Sequence, residues 1–123
     1  VILVDTSVWV DHFNRADARF ADLLDRDLVV THPFVVGELA LGHLRQRESI
    51  INTFRALPQA TMAQDDEVLD TIERFGLADS GIGYVDAHLL TATRLTCDCR
   101  LWTRDERLHA VAVRLNLAAR ILH

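Results

Sequence analysis

The chain has 123 residues, half of them apolar and a quarter charged. That composition suits one globular domain spanning residues 1–123 and excludes both a disordered segment and two independent cores. A net charge of −5 argues against a domain that coats nucleic acid by bulk positive charge, and all 13 basic residues are arginine, which removes lysine-based Schiff-base and P-loop chemistry.

Residues 1–4 form an unbroken β-branched and aliphatic run, the pattern of a strand buried on both faces of a parallel sheet. Asp5 follows at once and no apolar run reaches the roughly 20 residues of a membrane span, so neither a leader nor an anchor is expected. A soluble, cytoplasmic domain with no membrane partner is the expectation. Thr6 or Ser7 can cap a helix carrying Val8, Trp9, Val10 and Phe13. Residues 18–24 predict a short helix with Phe20, Leu23 and Leu24 inward, and 28–30 the next strand. His32-Pro33 opens a helix, since proline in a first turn lacks only a donor that would be orphaned there.

Over 48–57, Ile50, Ile51, Phe54 and Leu57 fall at helical spacing, and Pro58 ends the segment. A short strand is expected at 59–63, then a helix from Asp65 with Val68, Leu69, Ile72 and Phe75 on one stripe. Gly76, Gly81 and Gly83 punctuate a loop before a helix over 84–95. A strand at 100–103, a helix at 106–115 and a last strand at 119–122 complete the chain. Strand and helix alternating throughout predict an α/β domain, its central sheet mainly parallel and flanked by helices.

Four acids occupy positions where a purely solvent-facing role is uncomfortable. Asp5 ends the first strand and Asp105 follows the 100–103 strand, the carboxyl ends where parallel α/β sheets bind ligands. Glu38 lies within an apolar helix, and Asp86 falls in the first turn of another. Each alone could be a cap or a solvated charge. Together, crowded carboxylates raise one another's pKa and call for cations, and hard, oxygen-preferring Mg2+ or Mn2+ is the natural match. The six histidines are scattered with no i, i+4 pair, and Cys97 and Cys99 are too close in sequence to bridge and too few for zinc. Reduced thiols without a chemical role are expected.

The string Leu3-Val4-Asp5-Thr6-Ser7-Val8-Trp9 resembles the opening of a PIN domain. Gly37-Glu38-Leu39, Gly83-Tyr84-Val85-Asp86-Ala87 and Leu101-Trp102-Thr103-Arg104-Asp105 resemble that family's other acidic motifs, in the same order over the whole chain. The similarity is greatest to the VapC toxins of prokaryotic toxin–antitoxin pairs. It implies a single PIN-like ribonuclease domain that cleaves RNA through metal-activated water, with Asp5, Glu38, Asp86 and Asp105 as the metal-binding catalytic acids. It also implies Mg2+ as cofactor (Mn2+ as a substitute) and Thr6, Ser7 and Thr103 as supporting hydroxyls. Arg15, Arg19, Arg100, Arg104 and Arg107 are the candidates to grip the RNA backbone.

The implied partners are a cognate antitoxin protein, an RNA substrate and a second copy in a homodimer, with operator DNA reached only through the antitoxin complex. A helix at 34–44 that is apolar nearly all round suits either a central core helix or one covered by a partner, and the resemblance favours an antitoxin segment or second subunit over part of it, together with Trp9, Phe13 and Ile50. Two other readings fit the same residues. A strand-end aspartyl phosphatase or phosphotransferase would use Asp5 as nucleophile, although Ser7 stands where its second aspartate belongs. A non-catalytic acidic binding module would leave the four carboxylates as surface charge.

Overall fold

The computed structural model describes residues 1–121. Among these, three strands, β1 (Ile2–Val4), β2 (Val29–Val30) and β3 (Arg100–Trp102), form one parallel sheet in the order β2-β1-β3. Ile2 and Leu3 pair with Val29 and Val30 on one side, and residues 2–4 pair with 100–102 on the other. β1 is thus central, and its Leu3 and Val4 are fully buried, as a strand covered on both faces requires.

Among the described residues seven helices surround the sheet: α1 (Thr6–Asn14), α2 (Ala18–Asp25), α3 (Pro33–Leu41), α4 (Arg47–Ala56), α5 (Asp65–Arg74), α6 (Tyr84–Leu95) and α7 (Glu106–Arg114). Their starts follow from local chemistry. Asp17 caps α2 by accepting the Arg19 and Phe20 N–H groups, and Glu67 reaches back to the Gln64 N–H at the head of α5. The core unites Leu3, Val8, Phe20, Val35, Phe54, Leu89, Leu90, Leu101 and Leu108. Each such side chain contributes about 1.5–3 kcal/mol of burial.

Among the described residues, two expected strands do not form as strands. At 59–63 there is a single parallel bridge, Thr31 to Gln59, because the chain stays extended for only one residue more, His32, before α3 begins at Pro33. Near the end of the chain the counterpart is one bridge from Leu101 to Ala118; Leu122, in the segment expected to close the sheet, lies outside the described residues. The apolar helix ends at Leu41, not at residue 44, and Gly42 caps it. Trp9 does not face outward. It is 2% exposed and packs edge-on against Phe20 and Phe54, with ring centroids 4.6 and 4.7 Å away.

Candidate active site

Where the central strands end, helices begin, and the acids stand at those junctions. Asp5 follows β1 and is the N-cap of α1: Oδ1 accepts the Thr6 N–H at 2.8 Å. Its Oδ2 accepts the Thr103 hydroxyl at 2.7 Å and the Ser7 hydroxyl at 3.3 Å. Asp105 follows the β3 edge as the N-cap of α7, accepting the Leu108 N–H at 2.9 Å on Oδ1 and donating its own N–H to Thr103 Oγ1 at 3.1 Å. Asp86, the third residue of α6, takes the Gly83 N–H on Oδ2 at 3.1 Å. Capping and gathering are one arrangement here, because each carboxylate sits at the positive end of a helix.

Glu38 joins from α3. It is exposed, and Thr6 Oγ1 donates to its Oε1 at 3.0 Å, one residue from Asp5. Burial holds the Asp86 carboxyl above its ordinary range, and the charges of Asp5 and Asp105 push the same way, against the lowering effect of the Gly83 N–H. Three acids from separate elements therefore share one electrostatic neighbourhood.

Among the described residues no group of three or more His, Cys, Asp or Glu side chains stands close enough together to hold a metal ion as placed. The donors present are nonetheless carboxylate and hydroxyl oxygens, and no described residue donates a hydrogen bond to Asp86 Oδ1 or Asp105 Oδ2. That set fits a hard divalent cation such as Mg2+, which keeps several waters and takes only one or two protein carboxylates.

The five arginines separate. Arg19 grips Asp17 through Nε and Nη2 at 3.1 and 2.8 Å. Arg104 meets Asp11 at 2.6 Å and Asp17 at 3.1 Å. Both guanidinium groups lie over the Trp102 ring. Arg15 is exposed at the end of α1. Arg107, on α7, lies against Gly81 in the loop leading to Asp86; a Cβ at 81 would come within 2.9 Å of its Cδ, and the backbone there has φ +86°. Glycine alone suits that position. Arg100 does not belong with the others. It opens β3 at the end opposite Thr103, with its guanidinium on the carbonyls of Asn116 and Ala118.

Asp11 and Asp17 were not among the residues singled out by sequence. Asp17 directly before a helical stripe carries an N-cap signal, but its ion pair with Arg104 spans 87 residues and no local pattern announces it. Both cysteines are free, Cys97 exposed and Cys99 buried. His12 stacks on Phe20 and accepts the Asp17 N–H on Nδ1, and His88 is 2% exposed beside Phe34 and Tyr84, its Nε2 3.5 Å from Asp65.

The family model for the PIN domain matches residues 2–114, and the chain belongs to the PIN-domain family. Within that family it is similar to proteins named Ribonuclease VapC32 from two strains of Mycobacterium tuberculosis, CDC 1551 / Oshkosh and ATCC 25618 / H37Rv. Identity to each is 44% over 118 residues, covering 96% of this chain and 95% of the relative.

Proposed function

We propose that this chain is an endoribonuclease dependent on Mg2+, with Mn2+ as a substitute, and the toxin of a toxin–antitoxin pair. The observation that most supports this is the meeting of the Asp5, Asp86 and Asp105 charges at the carboxyl edge of a parallel sheet. It occurs in a PIN-domain chain 44% identical to proteins named as ribonucleases. When bound, the metal supplies charge neutralisation at the scissile phosphate and a water of lowered pKa. Asp86 and Asp105, each with an oxygen that accepts nothing from the described residues, would hold it directly. Glu38 would hold it from the α3 side, tethered by Thr6.

Asp5 has both oxygens engaged by Thr6, Ser7 and Thr103, which suits a fixed ligand better than a phosphate-accepting nucleophile. Arg15 and Arg107 are the arginines proposed to contact RNA phosphates. Val10, Phe13 and Leu41 leave exposed apolar area, Leu41 at 91%, and we assign this surface to the cognate antitoxin. Homodimers, operator DNA reached only through the antitoxin complex, and a cytoplasmic location complete the reading. Among the described residues no helix is long and apolar enough to cross a membrane.

The test is cleavage of a single-stranded RNA probe by the purified chain. Asp86→Asn, Asp105→Asn and Asp5→Asn are each expected to lower the rate by about 100-fold or more, and Glu38→Gln to impair it severely. A folded Asp86→Asn protein with the wild-type rate in Mg2+ would remove Asp86 from the site.

A further inference from the structure

Arg104 stands between Thr103, whose hydroxyl bonds to Asp5, and the acid Asp105, and is held from two directions. Its backbone N–H donates to Ser7 Oγ at 3.1 Å, and Ser7 donates in turn to Asp5. Its guanidinium points away from the acids: Nε meets Asp11 Oδ2 at 2.6 Å and Nη2 meets Asp17 Oδ2 at 3.1 Å, over the Trp102 ring. Asp17 is itself firmly placed. Its side chain is 14% exposed, caps α2 and accepts two bonds from Arg19. Its own N–H donates to His12 Nδ1.

Surface ion pairs add little to stability, so stability alone is a poor account of two aspartates converging on one arginine at this point of the chain. A phosphate would also have to displace both carboxylates to reach that guanidinium. We infer that Asp11 and Asp17 are positioning residues for the acid cluster, locking the 103–105 loop onto α1 and α2 through Arg104. So held, Thr103 keeps its bond to Asp5, and Asp105 its place as the N-cap of α7. The Arg104 side chain braces the loop and does not grip substrate. This inference rests on the metal-dependent reading of the cluster.

The test compares wild type with Asp11→Asn/Asp17→Asn and with Arg104→Gln. Asparagine caps a helix about as well as aspartate, so the start of α2 survives while the charge is lost. Mn2+ binding is read by electron paramagnetic resonance without RNA, and kcat and KM are read on a single-stranded oligonucleotide. Both variants are expected to melt cooperatively, to bind Mn2+ about tenfold more weakly and to lose about tenfold in kcat, with KM for RNA little changed.

Wild-type Mn2+ affinity and kcat in both variants would overturn the inference. So would a raised KM in Arg104→Gln with kcat and Mn2+ binding intact, since that marks a phosphate ligand. A wild type that binds Mn2+ but cleaves no RNA defeats the proposed function, while the Mn2+ arm still decides this inference. If the double variant does not fold, Asp11→Asn alone, at a position 54% exposed, carries the same comparison.

Discussion

Thr103 is buried at the end of β3, gives its hydroxyl proton to Asp5 and receives the Asp105 N–H. Valine there keeps the shape and removes both bonds. Thr103→Val should therefore cost about 1–3 kcal/mol in denaturant titration and slow cleavage, whereas Thr103→Ser should recover most of both. Full activity in Thr103→Val would deny the hydroxyl its role. Asp86 gives a second prediction at this scale. Its folded pKa is raised above the ordinary value of 3.8, so ionisation costs the metal-free fold stability as pH climbs through 3.8 and past the folded value. In chelator at pH 7, Asp86→Asn, which can still accept the Gly83 N–H, should melt no lower than wild type and lose less stability above pH 4. A clearly lower melting temperature would mean that Asp86 is mainly a cap. The acids were legible because their motifs are short and local. Arg100 sits apart from them because three steps of extended strand carry it about 10 Å from Thr103, with its guanidinium on the Asn116 and Ala118 carbonyls.

His32 shows what an element asks of a single side chain. It is fully buried, and its Nδ1 caps α3, the helix carrying Glu38, by accepting the Phe34 N–H at 3.0 Å. Burial, assisted by nearby His88, lowers its pKa from 6.5 to about 4. The native ring stays neutral while the unfolded one protonates, so its stabilising effect is complete above pH 6.5. That effect fades as pH falls to about 4, a loss of about 3 kcal/mol. Urea titrations at pH 7.5 and 4.5 should show this slope in wild type, and His32→Asn, which keeps an acceptor, should flatten it; an unchanged slope would contradict the assignment.

The helix start at His32-Pro33 was legible because proline marks a first turn, as was α6 between Gly83 and Thr96. The strand expected at 59–63 is not distinguishable in sequence from the single bridge that forms there, since pairing depends on how far the neighbouring strand stays extended. On the apolar face, Leu41→Glu should leave stability within about 0.5 kcal/mol and weaken antitoxin binding in calorimetry. Undiminished binding would place the antitoxin elsewhere.

At the scale of the molecule, α1, α6 and α7 aim their N-termini at one edge of a three-stranded parallel sheet, and each brings an aspartate. The fold class was legible from alternating strand and helix patterns. The arginine–aspartate bracing was not, because α1, α2 and the 103–105 loop meet only in three dimensions. A metal that binds the folded state alone should stabilise it, by about 2.7 kcal/mol at a concentration 100 times its Kd. Thermal melts with Mg2+ or chelator at fixed ionic strength should show that gain in wild type and a smaller one in Asp86→Asn. Indifference of the wild type to Mg2+ would count against a metal site.

Metal-dependent RNA cleavage at the acid cluster is tested by mapping cleavage ends on total cellular RNA. Wild type and Asp86→Asn are each incubated with Mg2+ or with chelator. Discrete new ends are predicted for wild type in Mg2+ and in no other sample. The same ends produced by Asp86→Asn, or by wild type in chelator, would contradict it.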